Sequence, residues 1–426
     1  MAEPDLIFRT LTAADAAEHP DLWRGWCEAL LRGFHESRTD DERQRLWLES
    51  TRADDIVMIG AWPSATSVGS GTLPVATFAS WTGGGLNVGG ERQVPLHMIT
   101  DVTVSPTHRR QGLLRRLMTD DLRSAAGRGL ALAGLTATEG SIYGRFGFGP
   151  ATRLRTVEVD VTGRFSLRPF DDDGTLELVE PAEAWDALTS VFARHCAGTR
   201  GALPWPGFYE PMLTARYDFE TGSANKKARV VLHLDADGAP DGFALYEHAG
   251  DQDGRATLDV KGLVALTDAG YLRLWQFLAD VDLTERVRFR RSREVEPLEW
   301  ALVEPRVVRT TGAYDMLWLR VLDVVAALEA RPWYGDGTVV LGVEDSLGLT
   351  DGRWRVSVSD ARADVAPTEE PAEVRLSAET LGALYLGGID VATLTAAGRV
   401  AGEDSALERW SAMADGGPTP YCTTGF

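Results

Sequence analysis

The sequence predicts an α/β (α+β) protein that is divided into several domains. At 426 residues, the chain suggests about three domains at the usual size of roughly 150 residues each. In residues 101–118, β-branched residues give way to leucines at helical spacing, which indicates a strand that runs into a helix. Strand and helix patterns alternate through most of the chain before residue 305, and this alternation is typical of α/β cores.

The first 155 residues predict two helices, an antiparallel meander and a β-α-β unit. The predicted elements, in order, are a strand at 5–9, helices at 21–31 and around 46–48, strands at 56–62, 73–81 and 96–104, a helix from 107 to about 128, and a strand at 130–136. Glycine clusters at 69–71 and from 83 to 90 separate the meander strands, so we expect hairpin turns there.

The segment that joins the predicted strand and helix has the features of an anion site. Ser105 or Thr107 is expected to cap the helix with its hydroxyl oxygen. Arg109 and Arg110 then fall in the first helical turn, where the helix dipole disfavours a cation by roughly 0.3 to 1 kcal/mol unless an anion docks there. Gly112 allows the backbone to approach a phosphate closely. The alternative is a basic helix start with solvated arginines.

The later part of the chain repeats the α/β outline and then changes character. An acidic turn at 171–174 predicts a boundary between about 155 and 175. The predicted elements after it are a helix at 181–195, strands at 229–234, 242–247 and 256–265, and a helix at 269–281. This second pattern lacks an Arg-x-x-Gly loop. The last 121 residues, 306–426, carry an acidic helix at 405–413.

Composition limits the possible partners. The formal net charge is −20, which disfavours nucleic acid and attracts cationic substrates, although it could also serve solubility alone. No apolar run approaches the ~18 residues of a membrane span, and the N-terminus lacks signal-peptide features, so we expect a cytoplasmic protein that binds no membrane. The three cysteines and seven histidines show no disulfide or metal-ligand spacing.

Two motifs carry a resemblance to a known family. Arg109-x-x-Gly112 after a strand resembles the coenzyme A pyrophosphate loop of GNAT N-acetyltransferases, although Leu114 departs from the usual Gly or Ala. The run at 106–115, together with Glu-Gly-Ser-Ile-Tyr-Gly-Arg-Phe-Gly-Phe-Gly-Pro at 139–150, resembles the enhanced intracellular survival (Eis) acetyltransferases. The resemblance implies a catalytic GNAT domain (1–155), a second GNAT-like domain without a coenzyme A loop (156–305) and a sterol-carrier-protein-like domain (306–426).

The resemblance also implies roles for individual residues. Acetyl-CoA is the implied co-substrate, held by Val102, Thr103, Val104, Arg109, Arg110, Gln111, Gly112, Leu113, Leu114 and Arg115. Tyr143 is implied as the general acid for the leaving thiolate, because a phenol with a pKa near 10 is a donor at neutral pH; packing is the alternative. The α-carboxylate of Phe426 is implied as the base, with Glu36 or Asp101 as substitutes.

The acceptor pocket is implied at Phe34, Glu36, Trp47 and Asp101, with core packing as the competing explanation for Phe34 and Trp47. The family implies cationic amines as acceptors, namely aminoglycosides, lysine side chains or polyamines, and a homo-hexamer. The last domain is expected to deliver the chain end to the active site rather than to bind lipid. A different class of function, a coenzyme A or lipid carrier with a vestigial site, stays open.

Overall fold

The computed structural model describes residues 6–66, 68, 71–219 and 221–426. Within these ranges the strands form two sheets of seven strands and one of five. The strands are β1 (Leu6–Leu11), β2 (Val57–Pro63), β3 (Ala76–Gly89), β4 (Arg92–Val104), β5 (Leu132–Thr136), β6 (Gly149–Pro150), β7 (Arg153–Asp160), β8 (Thr175–Val179), β9 (Arg229–Leu234), β10 (Pro240–Gln252), β11 (Arg255–Ala265), β12 (Arg286–Ser292), β13 (Val308–Asp315), β14 (Leu317–Val321), β15 (Gly337–Glu344), β16 (Gly352–Ser359), β17 (Arg362–Pro367), β18 (Val374–Ser377) and β19 (Val400–Gly402).

Helices cover these sheets. The α-helices are α1 (Ala13–Glu18), α2 (Pro20–Gly33), α3 (Asp41–Ala53), α4 (Leu113–Gly127), α5 (Gly140–Tyr143), α6 (Trp185–Gly198), α7 (Tyr209–Leu213), α8 (Asp268–Ala279), α9 (Pro297–Ala301), α10 (Val324–Ala330), α11 (Ala378–Leu384), α12 (Val391–Ala396) and α13 (Asp404–Ala414). In the part of the chain that the structure describes, no helix combines the length and the apolar character that a membrane span requires.

The first sheet has the strand order β1-β2-β3-β4-β5-β14-β6 and is covered on both faces. Successive residues of β4 point to opposite faces: Met98 belongs to the hydrophobic cluster that contains Trp26 of α2, and Ile99 to the cluster that contains Leu117 of α4. Helix α2 ends directly against β4, because a Cβ on Gly33 would lie 2.6 Å from the Thr103 side chain. The residues that follow α2 are therefore held beside β4.

The second sheet has the order β13-β7-β12-β11-β10-β9-β8, and the third has the order β17-β16-β15-β18-β19. Strand β13 pairs with β7 and strand β14 pairs with β5, although both strands fall in the predicted third domain, 306–426. The strand pairing thus differs from the predicted boundary after residue 305. Burial explains the difference: all five residues of β14 are buried, so this strand requires a central position.

Three local predictions need correction. The helix after β4 begins at Leu113 rather than at 107, and its N-cap is Gly112, so neither Ser105 nor Thr107 caps it. The glycines at 83–85 lie inside β3, not in a turn, although the turn at Gly89–Gly90 is present. The predicted turn at 69–71 and the start of the strand at 5–9 lie partly outside the described residues.

Two buried tryptophans pack against the third sheet. Trp333 and Trp410 are almost fully buried, with their ring centroids 5.4 Å apart in an edge-to-face arrangement. Met413 and Leu376 belong to the same hydrophobic cluster. Bulky side chains therefore pack against this sheet, and the role of the domain stays a prediction.

Candidate active site

Strands β4 and β5 separate in the middle of the first sheet. They pair in parallel only from Leu96 to Met98, opposite Leu132 to Gly134. The rest of β4, through Val104, faces a gap on that side. This edge contains the predicted residues Val102, Thr103 and Val104. A strand edge without a partner offers backbone groups that an extended ligand can pair with.

A β-bulge in β4 lies beside this gap. Asp101 has a φ of +56°, and the register of β4 against β3 shifts between Thr77 and Ala79. The Thr77 hydroxyl donates to the Asp101 carbonyl oxygen at 2.8 Å and lies 2.7 Å from the Thr103 hydroxyl. These bonds hold a strained residue in the left-handed region, which is a common feature of functional sites.

The loop before α4 matches an anionic ligand. Among the described residues, no backbone N–H from Arg109 to Arg115 donates to a protein acceptor. Gly112 has a φ of +80°, and a Cβ built on it would meet nothing within 4 Å, so the backbone there is open to close approach. The side chains of Arg109 and Arg110 are exposed, and neither forms an ion pair in the described structure.

The remaining predicted residues of this loop differ in their burial. Leu113 is buried in the core beside Leu117, and Leu114 packs partly against it, so both anchor the loop. The Gln111 side-chain oxygen is buried and has no hydrogen-bond partner in the described part of the protein. Arg115 is exposed. Free N–H groups, a helix N-terminus and nearby guanidinium groups together fit the pyrophosphate of coenzyme A.

Tyr143 lies at the end of α5, close to the gap. Its ring meets that of Phe148 edge-to-face, with centroids 6.4 Å apart. Tyr143 and Leu135 of β5 belong to the same hydrophobic cluster. Val102 is partly buried and packs against this cluster. Burial, and secondarily the charge of Glu139, raise the pKa of Tyr143 above its ordinary value. The phenol therefore keeps its proton at neutral pH.

Phe426 contacts two residues of the first domain, Thr136 and Trp81. The Phe426 backbone N–H donates to the Thr136 hydroxyl oxygen at 3.3 Å, and the Thr136 hydroxyl donates to a carboxylate oxygen of Phe426. The Phe426 ring packs edge-to-face on Trp81, with centroids 5.6 Å apart. Thr136 is the last residue of β5. The terminal carboxylate consequently lies where β4 and β5 have separated.

Residues of the second domain hold the segment before Phe426. The Gly425 N–H donates to the Tyr209 hydroxyl at 2.8 Å, the Thr424 hydroxyl donates to the Leu203 carbonyl at 2.8 Å, and Arg291 donates to the Thr423 carbonyl at 3.0 Å. Sequence reasoning missed these residues and Thr136, because each contact joins positions far apart in the chain and no local pattern marks them.

The second domain has a similar gap, but the start of its helix α8 is less suited to a phosphate. Strand β11 pairs with β12 only from Thr257 to Val260 and continues to Ala265. The connection to α8 is short, and the Thr267 side chain already accepts from the Gly270 N–H at 3.1 Å. Asp268 adds a negative charge in the first turn, which repels phosphate. The absence of a coenzyme A loop from this domain stays a prediction.

The structure brings together two of the four predicted acceptor residues. Asp101 is half-buried, and the loss of water around its carboxyl, followed by the charge of Glu36, raises its pKa to about 7. Glu36 is itself paired with Arg43 at 2.6 Å. Glu36 also lines a cavity of about 1000 Å³, which is large enough for a drug-sized molecule. Carboxylates near the β4 bulge and beside an open cavity can attract a cationic amine.

The other two predicted acceptor residues, Trp47 and Phe34, have different surroundings. Trp47 meets Trp23 and Trp26 edge-to-face, with both centroid distances at 6.0 Å, so its observed contacts are those of a packing residue. Phe34 is 40% exposed and follows the end of α2. No group of three or more metal-ligating side chains occurs within the described ranges.

We expect Asp101→Asn to remove a pH-dependent loss of stability. Asp101 in the folded protein holds its proton up to about pH 7, whereas an unfolded carboxyl releases it near 3.8. The stability that this proton provides is complete below pH 3.8 and is lost as the pH rises to 7. The asparagine variant should gain on the order of 2 to 4 kcal/mol over the parent between pH 4 and pH 8.

Urea unfolding followed by tryptophan fluorescence at pH 5 and pH 8 measures this difference. Asp360→Asn, on an exposed turn, is the control and should track the parent at both pH values. A parent-to-variant difference that stays constant between the two pH values would contradict the assignment of the shifted carboxyl.

Comparison with protein families agrees with the fold. Residues 17–151 and, separately, residues 211–321 match the family described as an acetyltransferase (GNAT) domain. Residues 324–423 match the family described as a sterol carrier protein domain. The second of these matches ends with β14, and the third begins after it. The predicted architecture of two GNAT domains and a sterol-carrier-like domain is confirmed.

Relatives extend over most of the chain. The N-acetyltransferase Eis of Mycobacterium tuberculosis is 36% identical over 333 residues, which cover 76% of this chain and 79% of that protein. An uncharacterized N-acetyltransferase of Streptomyces avermitilis is 34% identical over 412 residues, 94% of each chain. The crystal structure of Eis1 from Mycobacterium abscessus aligns with a TM-score of 0.80 at 27% identity, covering 99% of this chain and 100% of that one. This chain therefore belongs to the Eis family of GNAT N-acetyltransferases.

Proposed function

We propose that this N-acetyltransferase transfers the acetyl group of acetyl-CoA directly to a cationic amine. In this proposal the Phe426 carboxylate receives the proton of the amine, and Tyr143 donates a proton to the leaving thiolate. The observation that carries the proposal is the contact between Phe426 and Thr136 at the end of β5. This contact favours a position for the Phe426 carboxylate at the gap between β4 and β5. In the proposal, the pantetheine arm of acetyl-CoA enters the same gap.

The residues of the first domain suit acetyl-CoA, which supplies the reactive acetyl thioester when bound. The free N–H groups from Arg109 to Arg115, with the guanidinium groups of Arg109 and Arg110, would hold its pyrophosphate. The unpaired edge of β4 would align the pantetheine arm. Backbone N–H groups near Val102 would stabilise the oxyanion, because fixed dipoles need no reorganisation.

The base must accept a proton from an ammonium group. An α-carboxyl has an ordinary pKa of about 3.3 to 3.7, so the Phe426 carboxylate is ionised at neutral pH and attracts a cation. The Phe426 ring packs edge-to-face on Trp81, and exclusion of water beside the carboxylate would strengthen it as a base. Asp101, with a pKa raised to about 7, is the better base by pKa alone. Glu36 is occupied by Arg43.

The acid must keep its proton until the thiolate leaves. The raised pKa of Tyr143 meets this requirement. In the described residues no protein group bonds to its hydroxyl, which leaves the hydroxyl available for a ligand atom. Direct transfer between two bound substrates requires no covalent intermediate on the enzyme.

The acceptor would be cationic. Asp101 and Glu36 face the same region, and the net charge of −20 favours the approach of amines and disfavours nucleic acid and anionic membrane surfaces. Aminoglycosides, lysine side chains and polyamines all satisfy this requirement. The use of acetyl-CoA favours the cytoplasm as the site of action.

Extension of the chain by one C-terminal glycine should abolish most turnover. The extension moves the carboxylate away from Thr136 and replaces it with a neutral peptide carbonyl. Loss of a general base typically costs ~10²- to 10⁴-fold in kcat, while coenzyme A affinity should stay near that of the parent. Steady-state acetylation of an amine panel, with calorimetric titration of coenzyme A, measures both.

Phe426→Leu is the matched control, because it keeps a terminal carboxylate at the same position and should retain far more activity than the extended chain. If the extended chain acetylates at the parent rate, the terminal-carboxylate mechanism fails, and Asp101 or Glu36 takes the role of base.

Arg110→Ala and Arg109→Ala should weaken coenzyme A binding. Each removes charge-assisted hydrogen bonds to phosphate that are worth roughly 1.5 to 3 kcal/mol. Arg123→Ala, an exposed arginine later on α4, should bind coenzyme A like the parent. Calorimetric titration measures the three affinities, and unchanged binding in both loop variants would remove the pyrophosphate assignment.

We also propose that the protein assembles as a homo-hexamer. Val295, Trp300 and Val303 are 66%, 78% and 58% exposed around α9, and such an apolar patch often marks a subunit contact. Light scattering at micromolar concentration should give six times the chain mass of 46.3 kDa. The double variant Trp300→Ser, Val303→Ser should reduce this mass, whereas Leu178→Ser on β8 should not. A parent of monomer mass would disprove the assembly.

A further inference from the structure

Two buried arginines meet where the three domains join. Arg200 follows α6 in the second domain and is 3% exposed; Arg331 follows α10 in the third domain and is 1% exposed. The Gly89 turn of the first domain touches Arg200, since a Cβ on that glycine would lie 3.4 Å from Nε. Burial, and secondarily the charge of Arg200, lower the pKa of Arg331 to about 10. Both guanidinium groups are therefore largely shielded from water.

The hydrogen bonds of the two guanidinium groups are unequal. Arg331 donates to the carbonyl oxygens of Pro332, Leu384 and Ala414. Arg200 uses only Nη1, which donates to the Gly416 carbonyl at 2.8 Å and to the Tyr334 hydroxyl at 3.2 Å. Its Nε and Nη2 are buried and have no partner in the described structure. Unpartnered buried N–H groups of this kind are rare in folded proteins.

Neither cation has a carboxylate partner among the described residues. The carboxyl that acts on Arg331 is that of Asp415, but it accepts from the Val391 N–H at 3.1 Å and from the Ser411 hydroxyl at 2.6 Å. Other deeply buried arginines differ: Arg320 is paired with Asp345, and Arg286 with Glu158. A buried charge without a counter-charge is strongly destabilising.

Helix ends compensate only part of this charge. Leu384 and Ala414 are the last residues of α11 and α13, so their carbonyl groups carry the negative ends of two helix dipoles. Each helix end supplies at most about half an elementary charge. Two guanidinium groups carry two positive charges. The helix ends, and the rings of Tyr334 and Trp333 that lie against the two guanidinium groups, therefore compensate only part of the positive charge.

Gly387 lies close against the guanidinium group of Arg200, on the side of Nη2. Gly387 has a φ of +64°, and a Cβ built on it would lie 3.2 Å from Nη2 of Arg200, with the other two nearest atoms also in that guanidinium. We propose that a small monovalent anion, chloride by its abundance, binds at the Nε and Nη2 edge of Arg200 beside Gly387. The anion would neutralise the arginine pair and join the three domains.

Chloride should therefore stabilise the protein beyond its effect on ionic strength. We expect the thermal midpoint of the full chain to rise saturably, by a few degrees, when sodium chloride replaces sodium gluconate at equal ionic strength. Crystals grown in sodium bromide should show an anomalous peak within hydrogen-bond distance of Arg200 Nε or Nη2. A water molecule at that position in bromide crystals would overturn the proposal.

Variants connect the effect to the site. Arg200→Met removes the uncompensated charge and keeps a long side chain, so the difference between chloride and gluconate should disappear. Arg164→Met, at an exposed arginine of the second domain, is the control and should keep the parent's response. A parent without any difference between the two salts, or an Arg200→Met variant with the full difference, would disprove chloride binding at Arg200.

Discussion

The organisation of the site depends on the hydrogen bonds between the chain end and Thr136. These bonds place a residue from one end of the sequence at the gap between β4 and β5. The gap exists because β5 pairs with β4 over only three residues and takes β14 on its other side. Without β14, β5 would be an edge strand, and Thr136 would have no fixed position from which to orient a carboxylate.

The two GNAT domains use the same geometry for different purposes. In the first, a left-handed glycine and free N–H groups precede α4, so the helix start can receive an anion. In the second, Thr267 occupies the equivalent helix start, and Asp268 adds negative charge. The second domain instead provides Tyr209, Leu203 and Arg291 as anchors for the segment before Phe426. Its contribution to the first domain's site is positional.

Local patterns predicted most elements and few of the contacts between them. The strand at 229–234 is confirmed at both ends, because its apolar run is bounded by clear polar residues. The helix after β4 was placed too early, since the positive φ angles of Arg110 and Gly112 keep the preceding residues out of the helix. The glycines at 83–85 looked like a turn, yet Gly84 lies in β3 where a Cβ would press against Pro204 of the second domain.

Some residues of the candidate site could be predicted from local sequence patterns, and others could not. Arg109, Arg110 and Tyr143 lie in short motifs, so the sequence alone can point to them, and their roles stay predictions. Thr136, Tyr209 and Arg291 act on the chain end across long separations, for which a single sequence holds no signal. A role in the acceptor pocket is assigned to Trp47 only from its position in the sequence. In the structure its ring contacts Trp23 and Trp26 of the core.

The central position of β14 has a consequence for how the protein is made. The first sheet cannot close until residues 317–321 have left the ribosome, because β14 separates β5 from β6. The N-terminal domain must therefore wait, partly open, while the second domain is synthesised, which exposes strand edges during translation. Thr136, at the end of β5, is likewise fixed only after β14 has paired with that strand.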